Sequence, residues 1–243
     1  MNALLEAEHL TKRFGGVTAV DDCSFAVQPG TITALIGPNG SGKTTAFNVI
    51  TGYLRADSGT VSFAGRRVPR PDPARLYRSG LSRTFQQARV FPELCVLENL
   101  IVAGGHSWRA LFGPRRGRSD VAKASALLAE FGLAEHAEQP AKELSYGQRK
   151  LLEFASVLMS EPRLILLDEP TAGVNPVMVE AVEAHIRDRH AQGITFLVVE
   201  HDMNLVMRLC DPVIVLDRGT RIASGPPDAV RSDPAVLDAY LGE

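Results

Sequence analysis

Gly37-Pro38-Asn39-Gly40-Ser41-Gly42-Lys43-Thr44 is the stretch of this 243-residue sequence that decides its fold. It matches the pattern G-x-x-x-x-G-K-[ST], in which glycines turn the backbone tightly and aim successive N–H groups at phosphate oxygens. An apolar run at residues 32–36 precedes it, and a helical stretch at residues 45–51 follows, so the positive end of the helix faces the same anion. The stretch therefore predicts a phosphate-binding loop for a nucleoside triphosphate.

The chemistry expected of this loop gives its last residues separate roles. Lys43 is expected to reach the β- and γ-phosphates, and the hydroxyl of Thr44 is expected to bind Mg²⁺. The nucleotide-binding set predicted here comprises Gly37, Pro38, Asn39, Gly40, Ser41, Gly42, Lys43, Thr44 and Thr45. Kinases, GTPases and DNA motors share such a loop, so other parts of the sequence must narrow the class.

A second apolar run ends in two acidic residues. Residues 164–167 have the sequence Leu-Ile-Leu-Leu and predict a buried strand, which brings Asp168 to the sheet edge where ligands bind. There Asp168 is expected to hold Mg²⁺, directly or through water, and Glu169 to polarise an attacking water near the γ-phosphate. A surface Asp-Glu pair at a strand end is the alternative, and the neighbouring phosphate-binding loop disfavours it.

The hydrophobic pattern along the chain predicts an α/β fold. Short apolar runs rich in β-branched residues alternate with longer amphipathic segments, as in βαβ units with a mostly parallel sheet. The strands expected are residues 32–36, 164–167, 194–199 and 213–216, with a looser, antiparallel pattern over residues 4–27. Between residues 92 and 155 the signal is helical, at 94–102, 119–131 and 148–159, with Ser119 or Asp120 as the cap of the second helix. We therefore predict a helical subdomain inserted into the α/β core.

Composition disfavours several other classes. Hydrophobic residues make up 45% of the sequence and the net charge is -2, so there is no overall basic field for nucleic-acid binding. The three cysteines lie far apart, which argues against a disulfide framework or a zinc site. The longest apolar runs are strand-length, whereas a spanning helix needs about 20 apolar residues. Acidic residues interrupt the N-terminal stretch early, so no signal peptide is expected there.

Residues 144–148, Leu-Ser-Tyr-Gly-Gln, narrow the class, because they resemble the signature sequence of ABC ATPases, usually Leu-Ser-Gly-Gly-Gln. The resemblance implies that Ser145, Gly147 and Gln148, at a helix N-terminus, bind the γ-phosphate of the nucleotide held by another protomer. Taken alone, Ser145 is an ordinary helix N-cap. Tyr146 departs from the commonest pattern.

Three more residues match ABC motifs in the expected order. Gln86 resembles the Q-loop glutamine, which contacts Mg²⁺ and links the core to the helical subdomain; its neighbour Gln87 is the competing candidate. His201 resembles the switch histidine that contacts the γ-phosphate. Phe14 occupies the place of the aromatic residue that stacks on adenine, with a core phenylalanine as the alternative.

The resemblance covers essentially the whole chain and implies its architecture. One ABC nucleotide-binding domain of residues 1–243 would contain a P-loop NTPase (RecA-like) core at about 1–90 and 160–243, with an N-terminal antiparallel β subdomain. The inserted helical subdomain would span about 91–159. The implied catalytic residues are Lys43, Glu169 and His201, and the implied metal ligands are Thr44, Gln86 and Asp168, with ATP and Mg²⁺ as cofactors. Asn175 replaces the aspartate usual in the D-loop and is expected to hydrogen-bond across a dimer interface.

Within the ABC family the sequence looks most like the ATP-binding subunits of branched-chain amino acid importers. Shared stretches include residues 83–86 (Arg-Thr-Phe-Gln), 172–176 (Ala-Gly-Val-Asn-Pro) and 200–203 (Glu-His-Asp-Met). The resemblance implies ATP hydrolysis that powers import through two membrane permeases, at the cytoplasmic face of the inner membrane. The other implied partners are a second ATPase subunit, identical or paralogous, and indirectly a substrate-binding protein, but no nucleic acid.

Other interpretations stay open at this point. Urea or amide importers, lipopolysaccharide exporters and non-transport ABC ATPases are the alternatives, and a module that only binds ATP is disfavoured by the presence of Glu169 and His201. Residues 109–118 contain four arginines and follow Trp108. A solvated loop is the favoured interpretation of that stretch, and contact with anionic headgroups or a permease loop is the other.

Overall fold

The sheet that carries the predicted phosphate-binding loop has six strands. A computed structural model describes residues 3–104 and 118–241 of the chain. The sheet order is β10-β9-β3-β8-β7-β6, and all neighbours are parallel except β10, which is antiparallel to β9. These strands are β3 (Ile32–Ile36), β6 (Leu81–Arg83), β7 (Leu164–Asp168), β8 (Thr195–Val199), β9 (Val213–Asp217) and β10 (Thr220–Gly225). Strands β3, β7 and β8 are buried along their whole length, which explains their continuous apolar sequences.

A second sheet of four antiparallel strands forms the N-terminal part of the chain. Its order is β2-β1-β4-β5, from β1 (Leu5–Phe14), β2 (Val17–Val27), β4 (Ser58–Phe63) and β5 (Arg66–Arg67). The buried residues of β1 and β2 alternate with exposed ones, because one face of this sheet packs inward. The predicted antiparallel N-terminal region is thereby confirmed.

Helices cover the parallel sheet and form the inserted region. Their bounds are α1 (Lys43–Ile50), α2 (Pro73–Arg78), α3 (Val96–Ala103), α4 (Arg118–Glu130), α5 (Tyr146–Leu158), α6 (Pro176–Ala191), α7 (Met203–Leu209), α8 (Pro227–Arg231) and α9 (Pro234–Leu241). Helices α3, α4 and α5 pack on one another, as the predicted helical insertion requires. No helix within residues 3–104 and 118–241 is long and apolar enough to span a bilayer.

The observed helix boundaries differ from the sequence prediction at several helices. Helix α3 begins at Val96, since Cys95 and Glu98 form a reciprocal capping box. Helix α4 begins at Arg118, so neither Ser119 nor Asp120 is its cap; both lie in its first turn. Helices α1 and α5 each begin two residues before the predicted position, immediately after Gly42 and Ser145 respectively.

Two hydrophobic clusters lie on opposite faces of the parallel sheet. One contains the buried side chains of α3, α4 and α5 together with Ile165, Leu167 and Phe196. The other joins the antiparallel sheet and α1 to Leu35, Leu164 and Leu166. Alternate residues of β7 therefore point into different clusters, which fixes the register of the strand that ends in Asp168.

Candidate nucleotide-binding site

The predicted phosphate-binding loop joins the carboxyl end of β3 to α1. Its three glycines have positive φ angles, 148° at Gly37, 75° at Gly40 and 99° at Gly42. A Cβ on Gly37 would lie 2.0 Å from the carbonyl oxygen of Leu216, and one on Gly42 would lie 2.3 Å from that of Ala19. Gly37 and Gly42 therefore need glycine both for backbone conformation and for space.

Gly42 and Gly40 allow these two requirements to be separated. A Cβ on Gly40 would meet no atom within 4 Å. Gly40→Ala should therefore lower the free energy of unfolding only by the roughly 1–2 kcal/mol that a left-handed backbone costs an L-residue. Gly42→Ala adds the clash with the backbone at Ala19 and should lower the free energy of unfolding further. Urea unfolding without nucleotide measures both losses, and equal losses would contradict the role assigned to close packing.

Lys43 is buried at the start of α1, with only 6% of the residue exposed. Its Nζ donates hydrogen bonds to the carbonyl oxygens of Gly37 at 2.7 Å and Pro38 at 2.8 Å. The ammonium group therefore lies within the loop whose glycines shape the backbone. A cation at this place can neutralise phosphate charge.

Three predicted metal ligands lie around one cavity. Thr44, Gln86 and Asp168 line a cavity of about 490 Å³ beside α1, together with Arg83. Hydroxyl, amide and carboxylate oxygens are the donors that Mg²⁺ prefers. The donor set of these three side chains therefore fits Mg²⁺.

Arg83 forms a buried ion pair with Asp168 that sequence reasoning did not anticipate. Its Nη2 lies 2.6 Å from Oδ2 of Asp168, and the two side chains are 6% and 5% exposed. The Nη1 atom also donates to Asn48 and Thr51, on and just after helix α1. One guanidinium thus connects β6, β7 and α1. The rings around it belong to Phe47, Tyr53 and Phe85, with centroids 5.1–5.6 Å away.

The carboxylate of Glu169 is held from two sides. His201 Nε2 lies 2.9 Å from Oε1, and Gln86 Nε2 donates to Oε2 at 2.9 Å. Gln86, and not Gln87, makes this contact. Glu169 itself has φ 48°, an uncommon conformation for a residue with a side chain, and its side chain is 16% exposed. The structure thereby brings together Gln86, Glu169 and His201, three predicted site residues that lie far apart in the sequence.

Helix α5 places two buried charged residues behind this cluster. Lys150 is 5% exposed and Glu153 is 4% exposed. Burial raises the pKa of Glu153 to about 7, although two backbone N–H donors and the charges of Lys150 and Arg89 act in the opposite direction. Burial likewise lowers the pKa of Lys150, against the attraction of the surrounding carboxylates.

The raised pKa of Glu153 predicts a specific pH dependence of stability. Glu153 binds its proton more tightly in the folded protein than in the unfolded chain. Protonation of Glu153 therefore contributes to the free energy of unfolding in full below about pH 4.5, and this contribution is lost as pH rises to about 7. The stability of Glu153→Gln relative to wild type should therefore improve between pH 5 and pH 8, by at most about 3 kcal/mol. Urea unfolding of both proteins across this range measures the difference, and a pH-independent difference would refute it.

The signature residues begin helix α5 and bond within its first turn. Ser145 Oγ accepts the N–H of Gln148 at 3.3 Å, and Gln148 Oε1 accepts the N–H of Ser145 at 2.8 Å. Within the described residues neither side chain bonds to the phosphate-binding loop, and Gln148 also contacts His136. A Cβ on Gly147 would lie 3.0 Å from Met178, so this glycine lets α5 approach α6 closely. The expected contact of the signature with a second protomer's nucleotide stays a prediction.

The D-loop of residues 172–176 lies between the signature helix α5 and helix α6. Asn175 caps α6, since its Oδ1 accepts the N–H of Met178 at 2.9 Å. The side chain that was expected to bond across a dimer interface is thus used within its own protomer. The ring of Tyr146 packs on the D-loop, where a Cβ on Gly173 would lie 3.3 Å from its Cε1. This contact gives the unusual tyrosine of the signature a structural role.

Phe14 ends β1 and is 47% exposed, so the alternative of a core phenylalanine is wrong; its stacking on adenine stays a prediction. Lys12 Nζ lies 5.4 Å from the centroid of the Phe14 ring.

Trp108 and residues 109–117 of the arginine-rich stretch lie outside the described residues. Both interpretations of that stretch, a solvated loop and a contact with anionic headgroups or a permease loop, therefore stay predictions.

Comparisons with known proteins agree with this arrangement. Residues 20–172 match the family model of the ABC transporter, and residues 220–243 match that of the branched-chain amino acid ATP-binding cassette transporter. The high-affinity branched-chain amino acid transport ATP-binding protein LivG of Salmonella typhimurium is 39% identical, over 99% of this chain and 98% of the relative. A probable LivG of Methanocaldococcus jannaschii is also 39% identical over the same shares.

A solved structure extends the agreement to three dimensions. The ADP conformation of an ATP-binding cassette of an ABC transporter superposes with a TM-score of 0.88 at 39% identity, covering 100% of both chains. The expected ABC ATPase fold, with its parallel sheet and antiparallel N-terminal sheet, is confirmed. The family match over most of the chain and the full-length relatives lead to one conclusion: the protein belongs to the ATP-binding proteins of the ABC transporter family.

Proposed function

We propose that this protein hydrolyses Mg-ATP at the loop of residues 37–44, as one of two paired subunits that drive a membrane transporter. The observation that carries the proposal is the carboxylate of Glu169, which lies between Gln86 and His201 and directly follows Asp168. An acidic side chain held in this way can orient a water for attack on the γ-phosphate.

Each residue of the site has a distinct task in this proposal. Lys43 and the loop amides neutralise charge on the β- and γ-phosphates. Thr44, Asp168 and Gln86 would hold Mg²⁺, whose charge would also offset that of the phosphates. Glu169 orients the attacking water and accepts its proton. His201 fixes the carboxylate through the 2.9 Å contact to Oε1.

The second subunit completes the site. Ser145, Gly147 and Gln148 of one protomer would cap the nucleotide bound by the other, through the N-terminus of α5. Phe14, exposed at the end of β1, would stack on adenine. Loss of the γ-phosphate removes the contacts that hold the protomers together, so hydrolysis favours opening of the pair.

Phosphate release from purified protein tests this proposal. Hydrolysis of ATP should require Mg²⁺, rise more than in proportion to protein concentration as pairs form, and increase when the cognate permeases are present. ATP binding without phosphate release under all of these conditions would instead identify a module that only binds nucleotide.

The transported substrate belongs to the same proposal. We infer import of branched-chain amino acids through two permeases fed by a binding protein, with this subunit at the cytoplasmic face of the membrane. Support comes from the names of the full-length relatives and from the match of residues 220–243. Uptake of radiolabelled leucine by proteoliposomes that contain the complex should depend on ATP. Uptake of urea instead, or outward movement of lipopolysaccharide, would favour the related systems.

A further inference from the structure

The segment of residues 84–89, which carries Gln86, has no helix or strand within it. Its backbone N–H and C=O groups therefore need partners outside regular secondary structure. Two charged residues on one face of α5, Lys150 and Glu153, supply several of these partners. They are referred to below as the α5 pair.

Lys150 connects the segment to the residue that follows β7. Its Nζ donates to the carbonyl oxygen of Gln86 at 2.6 Å and to that of Glu169 at 3.2 Å. Since the side chains of Gln86 and Glu169 also bond to each other, these two residues are linked twice, once directly and once through Lys150. The position of the Lys150 ammonium thereby sets the separation of their backbones.

Glu153 holds the same segment by its N–H groups. One oxygen, Oε1, accepts the N–H of Phe85 at 3.1 Å and the N–H of Arg89 at 3.1 Å. The guanidinium of Arg89 lies over the ring of Phe85, 3.7 Å from its centroid. Residues 85 and 89 are thus drawn to one point, which gives the segment its curvature around Gln86.

The burial of Lys150 and Glu153 indicates that their hydrogen bonds to residues 84–89 and to Glu169 have a role beyond the stability of the core. A charged side chain is costly to bury unless its hydrogen bonds are supplied, and both residues are at most 5% exposed. Their hydrogen bonds are made to backbone atoms of the segments that carry Gln86 and Glu169. A core built only for stability would place apolar side chains at these positions of α5.

Helix α5 also begins at the signature residue Ser145. Lys150 lies five residues after Ser145 and Glu153 eight residues after it, so the α5 pair is about 8–12 Å along the helix axis. A single helix is rigid over this distance. Any rotation of α5 that brings Ser145 towards a second protomer's nucleotide must therefore displace the backbone at Gln86 and Glu169 of its own protomer.

We propose that Lys150 and Glu153 are positioning residues that couple the signature end of α5 to the hydrolytic site of the same protomer. The proposal rests on the proposed function, since it concerns where Gln86 and Glu169 stand during ATP hydrolysis.

Variants that remove the contacts test the proposal. Lys150→Met and Glu153→Leu should lower kcat about 10-fold to 100-fold, because small misplacement of catalytic groups has effects of this size. Affinity for a fluorescent ATP analogue should stay near the wild-type value, and amide hydrogen exchange within residues 84–89 should accelerate. The conservative variants Lys150→Arg and Glu153→Gln should recover most of the activity and protection.

Lys123 provides a matched control. Its Nζ also bonds to a backbone carbonyl, that of Met159, and to Glu161, but it lies on α4 away from residues 84–89. Lys123→Met should therefore leave kcat and exchange at residues 84–89 unchanged. If Lys150→Met does not fold, Lys150→Gln, which keeps one donor group, takes its place with the same expected loss.

The outcomes separate this inference from the proposed function. Wild-type kcat and unchanged exchange in Lys150→Met and Glu153→Leu would overturn the role of the α5 pair, provided that Glu169→Gln is inactive in the same assay. Full activity of Glu169→Gln would instead remove the proposed hydrolytic role. A loss of ATP affinity equal to the loss of kcat would show that the α5 pair supports the fold of the site without positioning the reacting groups.

Discussion

Glu169→Gln is expected to lower the rate of ATP hydrolysis by about 10²-fold or more, while ATP still binds. Glutamine has the shape of glutamate and can keep contacts to Gln86 and His201, which lie 2.9 Å from the two carboxylate oxygens. It lacks the negative charge that polarises a water and accepts its proton. Because the γ-phosphate then stays in place, the paired subunits should remain associated in the presence of Mg-ATP.

Phosphate release and size-exclusion chromatography measure the two parts of this prediction. Glu143→Gln serves as the control, since it makes the same chemical change at an exposed acid just before the signature. It should hydrolyse ATP like wild type and show no persistent pairing. Turnover at the wild-type rate in Glu169→Gln, measured with the permeases present, would remove Glu169 from the proposed hydrolytic role.

The sequence predicted well those residues whose role can be recognised from their immediate neighbours in the chain. The phosphate-binding loop needs a strand, glycines and a helix in succession, and all three are visible in residues 32–51. The acidic pair after residues 164–167 was equally clear, because a continuous apolar run ending in two acids is typical of a buried parallel strand. The structure lengthens that strand by one residue, to Asp168.

The residues that sequence reasoning missed act through distant partners. Arg83 reaches Asp168 only because β6 pairs in parallel with β7, with Arg83 opposite Leu166. Strand β6 has three residues, too few for a hydrophobic period, and it was not predicted. Lys150 and Glu153 resemble any charged residues of an amphipathic helix until the helix is packed. Their burial depends on the irregular segment 84–89, whose path no local pattern specifies.

Arg83→Met is expected to lower the free energy of unfolding by about 3–5 kcal/mol, the cost of leaving one partner of a buried ion pair uncompensated. The carboxylate of Asp168 is 5% exposed, so solvent can do little to replace the guanidinium. Methionine fills much of the same space among the surrounding rings but loses the bonds to Asn48 and Thr51 as well. The free energy of unfolding of Arg83→Lys should lie between those of wild type and Arg83→Met, since one ammonium cannot make all the bonds of a guanidinium.

A double variant identifies the cause of this loss. In Arg83→Met with Asp168→Asn the unpaired charge is gone, so most of the stability should return, measured by urea unfolding without nucleotide or Mg²⁺. Lys142→Met breaks the exposed ion pair with Glu93 and should leave the unfolding midpoint nearly unchanged. A double variant no more stable than Arg83→Met would mean that lost packing, and not the charge on Asp168, dominates. The buried pair would then serve to shape the cavity of Thr44, Gln86 and Asp168 without balancing its charge.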